Sequence, residues 1–281
     1  MSLGHISKFT IDRETKLGYI LLDEADKEYF LHHNECAGKF LNSGDKVDAF
    51  IYLDKMMREA ATLVLPNITL DNIGYGEVIS SKKETGLFVN IGISKDILLS
   101  KDDLPKNFNE WPKVGDTVFC AMKIRSNKLI LKFASKKDFT EINKNIELNE
   151  NDKVDAYVYR ITEEGINLVT KDFNVIFVYK ANLRGSFHIG ELVKCKIIHK
   201  NDGDYSGTLI EEKKIQIIDD KVIILEYLKT HNGVMLINES SSPELINYNF
   251  HMSKSSFKNA IFSLIKEGKI EKFEDKIILI D

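Results

Sequence analysis

Hydrophobic and polar residues alternate in three short stretches of this chain, and the three stretches share a beginning. Each reads glycine, an acidic residue, any residue and valine, after which most alternate positions are apolar. The stretches are SGDKVDAFIYLD from Ser43, VGDTVFCAMKIR from Val114 and IGELVKCKIIHK from Ile189. Successive side chains of a strand point to opposite faces, so each stretch is predicted to be a β-strand with one face in a core.

The middle position of the predicted core face is always small. It is Ala49, Cys120 and Cys195 in the three copies, which fits a place where barrel walls come close and gives both cysteines a structural role. The opposite face, with Phe50 in the first copy and Phe119 in the second, is predicted to be partly exposed.

The spacing of the copies predicts one small domain for each. Their glycines, Gly44, Gly115 and Gly190, are 71 and then 75 residues apart, a period typical of tandem modules. Around the second copy, polar turns separate five predicted strands. The first starts at Glu77, the second runs through Phe88 and the third ends near Leu99. The fourth follows the repeated glycine, and the last covers residues 128–133. Five short strands in about 70 residues are typical of a closed OB-fold barrel.

The last segment has a different period. In DDKVIILEYLKTHNG, Val222, Leu225 and Leu228 fall on one predicted helical stripe. A short helix follows Pro243, and a longer one carries an apolar stripe, which comprises Phe257, Ala260, Ile261, Leu264 and Ile265. Two strands around 274–275 follow, and three helices before a hairpin resemble a winged helix.

The predicted fold is therefore multidomain and mainly β, with three tandem five-stranded OB-fold barrels of S1 type before an α+β winged helix. The predicted domains are residues 1–66, 67–140, 141–212 and 213–281.

Charge distinguishes the second predicted domain. The 281-residue chain has a formal net charge of −4, but residues 67–140 hold 12 Lys and Arg against 9 Asp and Glu. This local excess favours a polyanionic partner for that domain.

The quoted motifs resemble known families. TGLFVNIG, ILLSKDDL and VGDTVFCAMKI, in that order, are similar to the S1-type OB-fold of many RNA-binding proteins. Three such barrels followed by a winged helix resemble the bacterial conserved virulence factor B family over essentially the whole chain. The resemblance implies a non-catalytic, RNA-binding regulator of gene expression, including virulence genes.

The predicted RNA site is centred on Phe88, which alternation points outward from the second barrel and which matches a base-stacking Phe of S1-type domains. Ser100 stands where the pattern expects a His on the third strand, and Lys128 matches a cation on the last strand. Further cations of this barrel complete the predicted site, namely Lys82, Lys123, Arg125 and Lys132.

The outer barrels contribute fewer candidates. In the first, His32 matches the family His and Arg58 lies near the last strand. In the third, Tyr179 falls at the His position while Asn167 replaces the stacking Phe. We expect this acidic third segment to contribute less to RNA binding.

The sequence of the winged helix does not decide whether its partner is RNA, DNA or protein. Lys254 and Lys258, one helical turn apart, are candidates for nucleic-acid contacts. A DNA-binding transcription regulator acting through the winged helix is one alternative to RNA binding. A protein-interaction adaptor on the ribosome or RNA polymerase is the other.

Neither a metal nor a cofactor is expected. His32 and His33 would point to opposite faces of a strand, and none of the three cysteines forms a Cys-x-x-Cys pair. Catalysis is not expected, because Ser263 to Lys266 matches Ser-x-x-Lys only by its letters. With no apolar run long enough for a membrane span, the chain is predicted to be cytoplasmic.

Overall fold

Three closed five-stranded barrels make up the larger part of the computed structural model, which describes residues 2–142, 146–201, 204–210 and 213–280. The strands of barrel 1 are β1 (Ile6–Thr15), β2 (Gly18–Leu22), β3 (Glu28–His32), β4 (Lys46–Leu53) and β5 (Glu59–Thr62). Those of barrel 2 are β6 (Gly74–Lys82), β7 (Gly86–Asn90), β8 (Ile97–Ser100), β9 (Thr117–Arg125) and β10 (Lys128–Phe133). Those of barrel 3 are β11 (Lys153–Ile161), β12 (Gly165–Val169), β13 (Val175–Tyr179), β14 (Leu192–Asn201) and β15 (Asp204–Thr208).

The strand order is the same in all three barrels. Each runs first, second, third, fifth, fourth and closes on the first strand, with the third and fifth strands parallel. The first strand also skips one residue in its register at the same place each time, after Ile11, Val78 and Val158. Such a skip is a β-bulge, which bends a strand locally. The first strand of each barrel is therefore bent at the same place. The predicted OB-fold class is confirmed.

The acid after each repeated glycine fixes a turn. The Asp45 carboxylate accepts a hydrogen bond from the amide of Asn42 at 2.8 Å, and the Asp116 carboxylate accepts one from Lys113 at 2.6 Å. Barrel 3 has two such turns, with acceptors Asp152 and Glu191. The motif therefore starts four strands, one more than the glycines indicate, because Asn151 takes the left-handed conformation (φ 74°) in place of glycine.

The second face of the repeated strands is more buried than expected. Phe50 and Phe119 are both buried, because the barrels pack on one another. Phe119 lies in an aromatic cluster with Tyr157 of barrel 3 and Phe139 of α1 (Lys136–Ile142). Helix α1 therefore crosses the predicted boundary between residues 140 and 141.

Barrels 1 and 2 share one hydrophobic core, which runs without a break from Leu3 to Leu131. Gly4 lies at this junction with φ 81°, and a Cβ there would stand 2.8 Å from Leu70 and 2.9 Å from Leu129. Only glycine fits this close approach without a shift.

Barrels 2 and 3 also meet at the repeated acids. His188 lies between them, with Nε2 2.8 Å from Asp116 and Nδ1 2.9 Å from Glu191. A Cβ on Gly190 would stand 2.8 Å from the Cβ of Asp116.

The carboxyl-terminal part is a winged helix, as predicted. Its elements are α2 (Lys213–Thr230), β16 (Val234–Met235), α3 (Pro243–Phe250), α4 (Lys254–Lys266), β17 (Ile270–Lys272) and β18 (Ile277–Leu279). The strands form a sheet in the order β16, β18, β17. Ser242 and Ser253 cap α3 and α4, each accepting a hydrogen bond from the amide three residues on.

Two details of the predicted helical stripes were wrong. Val222 is 48% exposed, whereas Ile224 is fully buried beside Leu228. Ile265 is 36% exposed at the edge of the α4 stripe. The correct stripe of α2 includes the i, i+4 pair Ile224 and Leu228, which the continuous apolar run from Val222 concealed.

Two compact units divide the chain, one of residues 1–178 with 187–206 and one of 179–186 with 207–281. The first unit holds barrels 1 and 2 and most of barrel 3. The second contains the winged helix. The predicted boundary at residue 212 lies outside the described residues.

Candidate nucleic-acid interface

The outer face of barrel 2 carries Phe88. On β7, Leu87 and Val89 are fully buried in the core, and Phe88 between them points outward and is half-buried. Its cross-strand neighbours are Ser80 on β6 and Leu98 on β8. The ring is thus an outward side chain of a central strand, as alternation predicts, but neighbouring residues cover part of it.

A cleft of about 220 Å³ explains that partial cover. Barrel 1 supplies one wall of this cleft, which consists of Leu53 and Met57. Phe88 and Lys128 lie in the same cleft, and the remaining lining comprises Lys95, Asp96, Ile97, Leu98, Leu129 and Ile130. The aromatic ring and one predicted cation therefore share a concave surface built by two barrels.

Lys95 joins the two barrels at this cleft. Its ammonium donates to the carbonyl oxygens of Leu53 and Asp54, the latter at 3.2 Å. Burial lowers the pKa of Lys95 below the usual value, against the opposing effect of the Asp54 charge. The Lys128 charge adds to the lowering, and both lysines line the cleft.

Lys82 also lies beside the Phe88 ring. Its ammonium is 5.8 Å from the centroid of Phe88, a separation at which a cation is attracted to the ring face. Lys82 is exposed at the end of β6, so its charge also faces solvent.

Two other predicted cations are held by carboxylates. The ammonium of Lys123 is 2.9 Å from Asp103, and the guanidinium of Arg125 is 3.5 Å from Asp102. Both lie on the outer face of β9, and Arg125 is the cross-strand partner of Lys128. Their charge is partly neutralised.

Lys132 is exposed on β10, opposite Ala121. It is outside the set of residues that line the Phe88 cleft, although alternation puts it on the same outer face as Lys128.

Ser100 and His32 occupy equivalent places in barrels 2 and 1. Each is the cross-strand partner of a glycine, Gly86 for Ser100 and Gly18 for His32. A Cβ on either glycine would come within 2.2 Å of a backbone carbonyl oxygen of the neighbouring strand, so the paired strands leave no room for a side chain there. Each side chain caps the next turn, since Ser100 accepts from the amide of Asp102 and His32 from that of Asn34.

Two other candidates are absent from the set of residues that line the Phe88 cleft. Arg58 holds its own turn in barrel 1, with guanidinium hydrogen bonds of 2.7 and 2.9 Å to Asp54. Tyr179 ends β13 in barrel 3 and is 54% exposed. The structure therefore brings Phe88, Lys82 and Lys128 together, whereas His32 and Arg58 are not among the cleft lining, although Arg58 follows the cleft-lining Met57.

In the winged helix, Lys254 begins α4 half-buried and Lys258 is exposed one turn later. The ammonium of Lys258 is 6.0 Å from the ring centroid of Phe262, which is 58% exposed. The outward face of α4 is thus part aromatic and part cationic.

The cysteines lie in the cores. Cys36, Cys120 and Cys195 are all buried and unbridged, and burial raises the pKa of the Cys120 thiol far above its usual value. Among the described residues, no three His, Cys, Asp or Glu side chains cluster as metal ligands would. Within the same part of the chain, every helix falls short of the length or apolar character that a membrane crossing requires.

Comparison with known proteins identifies the family. A Staphylococcus haemolyticus protein named conserved virulence factor B is 32% identical to this chain over 245 residues, which cover 85% of this chain and 81% of that protein. The chain belongs to the conserved virulence factor B family. A Bacillus subtilis relative, uncharacterized protein YitL, is 31% identical over 276 residues, or 96% of this chain and 91% of the relative.

Family models assign the individual domains of this virulence factor B relative. A model described as an S1 domain matches residues 3–64, in barrel 1. The model of the CvfB first S1-like domain matches residues 73–131, which is the second barrel here. The CvfB-like winged helix domain matches residues 222–279. The resemblance seen in the sequence is confirmed.

A solved structure has the same architecture as this family member. It is a Streptococcus pneumoniae multidomain protein described as having nucleic acid binding domains. It is 26% identical, covers 99% of both chains and aligns with a TM-score of 0.65.

Sequence reasoning missed several residues of this surface. Met57 and Lys95 belong to the cleft but lie in turns, where no periodicity marks them. Phe30 is half-buried on the outer face of barrel 1, 6.2 Å from the His32 ring. Phe108, which is 46% exposed in the connector between β8 and β9, is another aromatic residue that sequence reasoning did not select.

Proposed function

We propose that this chain is a non-catalytic, cytoplasmic protein that binds single-stranded RNA and regulates gene expression after transcription, including virulence genes. The observation that carries the proposal is the cleft in which Phe88 and Lys128 lie, with Lys82 over the Phe88 ring. The similar S. pneumoniae protein is described as having nucleic acid binding domains, which supports the same assignment.

The chemistry of the cleft suits a single strand. A nucleobase stacks on an aromatic ring, and ammonium groups beside it neutralise the phosphates on either side. Lys82 and Lys128 form no ion pair with a described residue, so each can attract a phosphate without first losing a carboxylate. The paired residues Lys123 and Arg125 are proposed to contribute less.

The second barrel is the proposed centre because its aromatic position is unique among the three. Counted from the first glycine of the second strand, Phe88 corresponds to Ile20 in barrel 1 and Asn167 in barrel 3. Neither of those side chains offers an aromatic face. Residues near His32 and Tyr179 then add weak contacts along the strand, which gain through effective concentration.

Replacing Phe88 by Ala tests the proposal. We expect wild type to prefer labelled single-stranded RNA over duplex DNA of the same sequence, with an affinity that falls as salt rises. The variant should bind RNA roughly tenfold more weakly or worse, because stacking is worth about 1–3 kcal/mol per base. Fluorescence anisotropy over a salt series measures both quantities.

Phe88→Tyr serves as the matched control, because it keeps the ring and should keep RNA affinity to within about twofold. Unchanged RNA binding by Phe88→Ala contradicts the proposal. Preference for duplex DNA, lost in a Lys254→Gln and Lys258→Gln double variant, would instead indicate a transcription regulator. Absence of affinity for either nucleic acid would indicate a protein adaptor.

A further inference from the structure

Two consecutive lysines, at the end of β6 and the start of the turn to β7, approach two different aromatic rings. The ammonium of Lys82 is 5.8 Å from the Phe88 centroid, and that of Lys83 is 5.6 Å from the Phe108 centroid. Consecutive Cα atoms are about 3.8 Å apart, so one short turn places a positive charge beside each ring. The predicted site accounts only for the first of these pairs.

Phe108 has a rigid support. It begins the 3-10 turn Phe108–Glu110, and its ring centroid lies 5.0 Å from that of Trp111. Trp111 is itself buried and donates its indole N–H to the carbonyl of Pro105 at 2.7 Å.

Asn107 fixes the start of the same turn. Its side-chain oxygen accepts from the amide of Asn109 at 3.1 Å, and its amide group donates to Glu110 at 2.9 Å. A ring held in this way needs little ordering when a ligand binds.

The exposure of Phe108 requires an explanation. Phe108 is 46% exposed although the neighbouring Trp111 is buried, and the Lys83 ammonium stands 5.6 Å from the centroid of its ring. Lys83 forms no salt bridge with any residue that the structure describes, and Glu110 of the same turn accepts a hydrogen bond from Asn107. An open aromatic face beside an unneutralised ammonium is the combination that binds a base and its phosphate.

We propose that Phe108 and Lys83 form a second base-stacking subsite for the same RNA strand, separated from the Phe88 subsite by the Lys82–Lys83 turn. One base stacks on Phe88 and a second base of the same strand stacks on Phe108. The ammonium groups of Lys82 and Lys83 face the phosphates between these two bases. The inference rests on the proposed function, since it adds a second contact to the same ligand.

Trp111 provides the test, because it is the sole tryptophan of the chain and its ring centroid lies 5.0 Å from that of Phe108. A base on Phe108 changes the surroundings of the indole, so saturating wild type with an RNA of about 12 nucleotides, within the site size of such folds, should change Trp111 emission. Phe108→Leu keeps an apolar side chain over Trp111 without a π-face. It should lose most of the emission change and bind roughly fivefold more weakly or worse.

Two further variants separate this inference from the proposed function. Phe88→Ala at saturating RNA should still show the Trp111 emission change, although more RNA is needed. Lys83→Gln should retain the ring and reduce the salt slope by about 0.7, the value for one phosphate on a single strand. Phe40→Leu is the control, because Phe40 is 97% exposed in barrel 1 and lies away from Trp111 in sequence.

The outcomes are distinct. RNA binding detected by anisotropy with no change in Trp111 emission overturns the second subsite and leaves the proposed function standing. An equal loss of affinity in Phe40→Leu and Phe108→Leu also overturns it. No binding of RNA by wild type overturns both.

Discussion

Two lysines of one strand lie in different surroundings. Lys128 and Lys132 are both exposed on the outer face of β10, but only Lys128 lines the cleft that holds Phe88. Lys132 lies close enough to Asp138 for its charge to help lower the pKa of that carboxyl, after the larger effect of hydrogen bonds from Ser135. The pair therefore separates the effect of position from that of charge.

We predict that Lys128→Gln weakens RNA binding more than Lys132→Gln, although both remove one positive charge. The slope of log affinity against log salt should decrease by about 0.7 for Lys128→Gln, as expected for one lost phosphate contact on a single strand. Anisotropy titrations of both variants over a salt series measure this. Equal effects of the two substitutions would mean that general attraction to the barrel, and not the cleft, governs binding.

The sequence predicts the orientation and the partners of individual side chains only in part. Alternation on β7 predicts correctly that Phe88 points out and that Leu87 and Val89 point in. It carries no information on Leu53 and Met57, because those residues come from another barrel and reach the cleft through tertiary packing. Partners of the cations were equally hidden, since Asp102 and Asp103 precede Lys123 by about 20 residues.

A hydrogen-bonded turn supplies one wall of the cleft. Between β4 and β5, the Asp54 carboxylate accepts from the amides of Met56 and Arg58 and from the Arg58 guanidinium. These hydrogen bonds, that of the Arg58 amide first, hold the pKa of Asp54 below its usual 3.8. The turn presents Met57 to the cleft in the left-handed conformation, with φ 63°.

Asp54→Asn is therefore expected to lower stability in a pH-dependent way. The folded protein holds Asp54 ionised more strongly than the unfolded chain does, so this contribution is present above pH 3.8 and is lost as the pH falls through the lowered pKa. Urea unfolding of wild type and variant at several pH values should show a difference that shrinks in acid. Glu24→Gln, at an exposed acid in the turn between β2 and β3, is the control, and a difference that stays constant with pH would contradict this account.

Regular elements were easier to predict than their exact faces. Glycine positions and alternation located all five strands of barrel 2, because turn residues separate them. In α2, the apolar residues from Val222 to Leu225 form an unbroken run, so several helical stripes fit the sequence equally well. Ile224 is the buried residue because it belongs to the same tertiary core as Phe250 and Phe257.

Over the whole molecule, the continuous core of barrels 1 and 2 matters most for the proposed site. Lys95 and Gly4 both lie where the two barrels meet, one by hydrogen bonds and the other by close packing. The division predicted between residues 66 and 67 remains a prediction about the chain, but unfolding of the two barrels should be coupled.

Gly4→Ala tests that coupling. The variant combines a left-handed backbone with a Cβ 2.8 Å from Leu70, so we expect a loss of about 2–4 kcal/mol from strain and overpacking. Gly38→Ala is the matched control, because Gly38 has φ 74° with no atom within 4 Å, and it should lose only about 1 kcal/mol. Denaturant titrations followed by Trp111 emission measure both.

Gly4 precedes barrel 1, but a Cβ on it would meet Leu129 of barrel 2 at 2.9 Å, so the substitution strains the junction that both barrels share. A Trp111 transition that Gly4→Ala leaves unchanged would contradict a stabilising role of this junction for barrel 2.

The shared core also bears on how this surface can be moved or inherited. An engineer who grafts the second barrel alone onto another protein would deliver the Phe88 ring without the Leu53 and Met57 wall, and with Leu129 turned towards water. The transferable part is the pair of barrels, and a gene rearrangement that keeps the cleft intact must carry both.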